Sequence, residues 1–141
     1  MIRIKGFDMK KWFDGHNVWF FLGTLCLFLG VAFGAFGAHG LEKQVSLKAI
    51  QTFKTGVTYQ FYHGFALLFI GVLVEIRERS SLLNRAGVFF LVGVLLFSFN
   101  CYIYALTQNK IFALIVPLGG MSFLLGWGTL LFYFLKKEPI K

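Results

Sequence analysis

Four long stretches of nearly uninterrupted apolar residues run along the chain, at Val18 to Ala38, Val57 to Val74, Ala86 to Leu106 and Ile111 to Leu135. A helix needs about 20 residues to cross a bilayer, and each stretch is of that order. None has the two-residue alternation of a barrel strand, and lipid offers no partner to a bare backbone group, so the pattern predicts helices. The expected fold is all-α: a polytopic, four-transmembrane-helix bundle over residues 18–135, with a basic cytoplasmic segment at 1–17 and a cytoplasmic tail at 136–141. Lys10 and Lys11 ahead of the first stretch, and "AFGA" near its end, mimic a signal peptide. The apolar core is too long for one and three more spans follow, so a retained first helix is expected.

Between the first two stretches the polarity alternates with helical period. Leu41, Val45, Ala49, Ile50, Phe53 and Val57 fall on one side, and Lys43, Gln44, Lys48 and Gln51 on the other. This predicts a short amphipathic helix between helices 1 and 2, either lying in the membrane interface or leading into helix 2.

The distribution of basic residues orients the spans. If the spans alternate in direction, ten Lys and Arg residues fall on the side of the termini and four on the other. The positive-inside rule then places both termini in the cytoplasm, and the expected location is the bacterial cytoplasmic (inner) membrane. Composition agrees, with 57% hydrophobic and only 14% charged residues. The net charge of +8 comes from short clusters between apolar runs rather than one basic face, which excludes a nucleic-acid surface and points to lipid headgroups as partners.

Alternation of the spans also brings their polar residues to one side of the membrane. The first run ends with "GAFGAHG", the second begins with "TYQFYHG", the third passes through "SFNCYIY" and the fourth through "IVPLGG". His39, Tyr59, Gln60, His63 and Asn100 therefore form a candidate polar cluster in the outer half of the bundle, structural or ligand-binding in role. Gly56, Tyr59, Gln60 and His63 share one helical face, which should turn away from lipid. His63 then has His39, Asn100 or a carbonyl near Pro117 as candidate hydrogen-bond partners. Gly23, Gly30, Gly34 and Gly37 on helix 1, and Gly119, Ser122 and Gly126 on helix 4, mark faces for close packing within the chain. Trp127, deep in its run, is expected to pack in the same way. Cys26 and Cys101 differ in depth by roughly 10 Å at 1.5 Å per residue, too far for a disulfide, and read as buried packing residues.

Four motifs in order, "GAFGAHGL" (Gly34 to Leu41), "FKTGVTYQFYH" (Phe53 to His63), "LFSFNCYIYALT" (Leu96 to Thr107) and "PLGG" (Pro117 to Gly120), resemble the bacterial domain-of-unknown-function 423 family. These are small four-span membrane proteins whose eukaryotic relatives are called transmembrane protein 256. The resemblance extends over Val18 to Phe134 and implies the architecture without implying an activity.

The chemistry in the chain is sparse. No acidic residue lies inside a span, Ser98 has no base at a recognisable spacing, and paired carboxylates and a phosphate loop are absent from the sequence. Two histidines, with His16 outside the membrane, fall short of a zinc site. No enzymatic activity, metal or cofactor is expected. The expected role is an accessory or scaffolding subunit, either in a larger membrane complex or as a homo-oligomer. The alternative is a protein that binds a small ligand or cofactor, or lets a solute permeate, through the polar cluster.

Overall fold

In the computed structural model the described residues are 18–41, 44–77 and 80–136. The basic N-terminal segment with His16, and most of the tail, lie outside them. Among the described residues the chain is helical throughout: α1 (Val18–His39), α2 (Leu47–Ile76), α3 (Ser81–Gly93), a π-helical turn (Val94–Ser98), α4 (Phe99–Thr107) and α5 (Lys110–Leu135). Because α3, the π turn and α4 follow one another without a break, four spans are long and apolar enough to cross a membrane.

Side-chain caps start three of the helices. Ser46 Oγ accepts from the Ala49 N–H, Ser80 Oγ from the Leu82 N–H and Asn109 Oδ1 from the Ile111 N–H, each satisfying a donor that has no partner inside its helix. At the end of α4, Gln108 takes a left-handed conformation (φ 55°) and its N–H closes on the Tyr104 carbonyl at 2.8 Å. Only Gln108 and Asn109 separate α4 from α5, so these two helices are antiparallel neighbours.

The short interfacial helix expected between helices 1 and 2 does not form. Once Ser46 has capped it, α2 runs unbroken for 30 residues, about 45 Å at 1.5 Å per residue. No proline interrupts this stretch to part the amphipathic segment from the span. Its apolar side meets protein rather than a membrane surface: Ala49 and Phe53 are 1% and 2% exposed and pack with Leu41, Tyr102 and Ala105. The segment is the lead-in to helix 2.

α1 packs along α2, the third span packs against both α2 and α5, and α2 and α5 do not pack closely along their lengths. The α1–α2 contact is close enough to need glycine, since a Cβ on Gly23 would lie 2.9 Å from the Gly64 carbonyl. The small faces foreseen on helices 1 and 4 are used inside the chain. Gly30 and Gly37 meet Phe61 and Phe53, Ser122 Oγ donates to the Phe89 carbonyl at 2.7 Å, and Gly126 meets Phe90. Cys26 and Cys101 are free and buried.

The π turn was invisible in the apolar run that contains it. There the Phe99 N–H reaches back to the Val94 carbonyl, widening the helix by one residue where Gly119 of α5 lies against the Phe97 backbone. Asn100 donates to the carbonyls of Leu96 (2.9 Å) and Leu95 (3.3 Å), taking up acceptors that the π turn displaces.

Candidate functional site

The middle of α2 presents two buried polar side chains to different neighbouring helices. Gln60 has no exposed surface, and an amide with unmet hydrogen bonds there would be costly. Its Nε2 donates to the Cys26 carbonyl of α1 at 2.8 Å, and its Oε1 accepts from the Tyr102 hydroxyl of α4 at 2.7 Å. One side chain thus ties three helices together. The Tyr102 ring is held between Phe53 at 4.6 Å and Phe33 at 4.9 Å between centroids.

His63, one turn further on, faces α5. Its Nδ1 lies 2.8 Å from the Tyr59 carbonyl, and its Nε2 lies 3.2 Å from Nε1 of Trp127. A carbonyl can only accept and an indole N–H can only donate, so the proton sits on Nδ1 and the Nε2 lone pair takes the indole hydrogen. The ring is therefore a neutral imidazole of one tautomer, with both nitrogens engaged. It stacks flat on Phe123 of α5, with centroids 3.4 Å apart and planes 5° apart.

The five residues expected to form one cluster therefore separate. Gln60 belongs to the α1–α2–α4 junction, and His63 with the Tyr59 carbonyl belongs to the α2–α5 side. Asn100 is spent on its own span. His39 is exposed at the end of α1 and does not meet His63, because Gly37 lies against Phe53 and Gly30 against Phe61, which puts His39 level with the first turns of α2. The Tyr59 side chain is not turned inward as expected: it is 38% exposed and stacks on Phe97 at 4.5 Å. Trp127, expected as packing, is 46% exposed and hydrogen-bonded. Its signal in the sequence was an indole deep in an apolar span, where an N–H needs an acceptor.

Because α2 and α5 stand apart, a groove of about 700 Å³ opens between them. Tyr59, Tyr62, His63 and Phe65 form one wall, Gly120, Phe123, Leu124 and Trp127 the other, and Phe97 of the π turn the floor. The volume is that of a small-molecule site. Among the described residues no three His, Cys, Asp or Glu side chains come together to hold a metal. His63, with no free lone pair, offers the groove a hydrogen-bonded aromatic surface rather than a ligand atom.

Comparison with known proteins places this architecture. The family model described as "Protein of unknown function (DUF423)" matches residues 33–120, more than half of the chain. The chain belongs to this family. Similar proteins include a UPF0382 membrane protein of Staphylococcus haemolyticus, 45% identical over 106 residues, covering 75% of this chain and 85% of the relative. A UPF0382 membrane protein of Staphylococcus epidermidis is 41% identical over 120 residues (85% and 97% covered). The UPF0382 membrane protein YwdK of Bacillus subtilis is 38% identical over 111 residues (79% and 90%). No solved structure matches the chain. The family relation and the four apolar helices together make this a multi-pass membrane protein. The matched segment contains Gln60, His63 and Tyr102 and ends before Phe123 and Trp127.

Proposed function

We propose that this family member acts without catalysis, as an accessory protein of the cytoplasmic membrane that holds a lipid-phase molecule between α2 and α5. The observation that carries the reading is the groove itself. Two long helices of one small bundle keep their backbones apart, touch through His63, Phe123 and Trp127, and leave about 700 Å³ open beside that contact. Its walls are aromatic and its one hydrogen-bonded pair, His63 with Trp127, is already satisfied. An apolar occupant therefore meets mostly aromatic surface, and a polar one finds only the hydroxyls of Tyr59 and Tyr62. The accessory-subunit expectation came from the sparse chemistry of the sequence, and it would put a partner's transmembrane helix in the same opening as the competing occupant. The ten-to-four bias of basic residues supports cytoplasmic termini.

Native mass spectrometry of the full chain released from mild detergent tests the reading. The wild type is expected as a monomer that keeps a lipid-sized mass. Gly120→Phe should lose that mass and stay folded, because a Cβ on Gly120 would have only Phe97 near it, at 4.0 Å, so the new ring enters the groove. A bare wild type, or a Gly120→Phe variant that keeps the mass, would sink the proposal. Release only with a protein partner would return the groove to the subunit reading.

A further inference from the structure

A second cavity, of about 530 Å³, lies nearer the start of α2. Its lining is more polar than that of the aromatic groove: Lys48, Gln51, Thr52 and Thr55 of α2 and Tyr104 of α4 border it, while Phe97 and small apolar residues of α4 and α5 close the rest. Phe97 also borders the aromatic groove. Both cavities lie between α2 and α5 and share Phe97, on which Tyr59 stacks, so the two line up as one groove stepped at the Tyr59–Phe97 stack, more polar on one side and aromatic on the other.

The length of this groove can be read from either wall. Lys48 to His63 on α2, and Ala113 to Trp127 on α5, each amount to roughly 21 to 23 Å at 1.5 Å per residue. One leaflet, headgroup region included, is half of about 40 to 45 Å. A partner helix would need a track across the full hydrocarbon thickness, whereas a phospholipid needs a single leaflet. The polarity runs the same way, with the cationic end at the helix terminus and the aromatic end at mid-span.

We infer that this groove seats one anionic phospholipid, its phosphate against Lys48, Gln51 and Tyr104 and an acyl chain running past Phe97 to the His63–Trp127 pair. The assignment rests on the reading of the aromatic groove as a lipid-phase site and adds the headgroup to it. Lys48 supplies the charge, and the Gln51 amide and Tyr104 hydroxyl supply neutral donors. The hydroxyl protons of Thr52 and Thr55 are committed to the Lys48 and Gln51 carbonyls at 3.0 and 2.9 Å, so the threonines shape the mouth without donating to an anion. Lys48 itself is exposed, and its replacement leaves the core untouched.

The test is native mass spectrometry of the full-length protein reconstituted with equal amounts of phosphatidylglycerol and phosphatidylcholine of identical chains. The wild type should retain phosphatidylglycerol in preference. Lys48→Gln should cut that preference about fivefold, the contribution of one lysine facing an anionic surface, and still retain lipid. Gly120→Phe should lose both lipids alike, and millimolar inorganic phosphate should displace neither. Equal retention of the two lipids by the wild type, or an undiminished preference in Lys48→Gln, would overturn the headgroup assignment and leave the apolar site standing. Displacement by inorganic phosphate would overturn it in favour of a simple anion site, and a second copy of the chain in place of lipid would overturn it in favour of a dimer. Failure of the wild type to retain either lipid would remove the underlying reading as well.

Discussion

Replacing Tyr102 by Phe removes one hydroxyl and leaves the ring packed on Phe53 and Phe33, so the loss can be assigned to a single hydrogen bond. That hydroxyl donates at 2.7 Å to Oε1 of Gln60, and Gln60 has no exposed surface through which water could take its place. Hydrogen bonds between membrane helices contribute about 0.6 kcal/mol on average and about 1.7 kcal/mol at most. Stranding a buried acceptor raises the cost towards the range of about 1 to 3 kcal/mol. Tyr102→Phe should therefore destabilise the protein by about 1.5 kcal/mol. Gln60→Leu, which strands the tyrosine hydroxyl and also loses the bond to the Cys26 carbonyl, should cost more, about 2 kcal/mol. Removing donor and acceptor together is close to neutral for that bond when the replacements are apolar and similar in shape, so the double variant should be no worse than Gln60→Leu. The resulting coupling energy is at least about 1 kcal/mol. Unfolding in mixed micelles on titration with dodecyl sulfate, followed by circular dichroism, measures all four proteins. Additive losses, within about 0.5 kcal/mol, would refute the junction as an energetic unit.

Four further outcomes are expected. His63→Leu and Trp127→Phe should each lower stability by about 1 kcal/mol in the same assay, with a double variant little worse than His63→Leu, whereas His39→Ala should stay within about 0.5 kcal/mol of wild type. Gly119→Ala should cost about 1 to 3 kcal/mol because its Cβ meets the backbone of Phe97; Gly128→Ala, with nothing within 4 Å, should be neutral or gain up to about 1 kcal/mol in thermal unfolding. In thiol labelling of membranes, a cysteine at position 48 should react and one at position 53 should be shielded, since Phe53 is 2% exposed. A C-terminal reporter should be active only when its activity requires the cytoplasm, and one active only outside would invert the proposed topology.

What could be read from the sequence followed from signals carried by each segment alone. A run of about 20 apolar residues has few solutions in lipid, so helix number, approximate bounds and class came from hydropathy. The small faces of helices 1 and 4 were also legible, because glycine at helical spacing excludes side-chain bulk wherever the neighbour stands. The amphipathic pattern after Leu41 was legible as a helix but not as an interfacial one. Periodicity reports which side of a helix is apolar and is silent on whether lipid or protein covers it. Phe53 and Ala49 turned out to face Tyr102 and Ala105.

Depth along the membrane was likewise a one-dimensional quantity, and it brought His39, Gln60, His63 and Asn100 to one layer, but α2 starts at Leu47 rather than Val57, which carries His63 to mid-span and away from His39. Which of them touch depends on the rotation of each helix about its axis and on its neighbours, and no single span encodes either. A turn of α2 separates Gln60 from His63 on one face, yet they serve different interfaces, because Cys26 of α1 and Tyr102 of α4 meet the one and Phe123 and Trp127 of α5 the other. The π turn at Val94–Ser98 has no compositional mark, since shifting a backbone hydrogen bond by one residue leaves the side-chain sequence unchanged. The sequence by itself determined that this is a four-span helical membrane protein with tightly packed small-residue faces, because burial of the backbone in lipid and the bulk of side chains are local constraints. Only the tertiary structure decided that α2 and α5 stand apart over an aromatic groove, because a gap between helices is a property of their mutual placement.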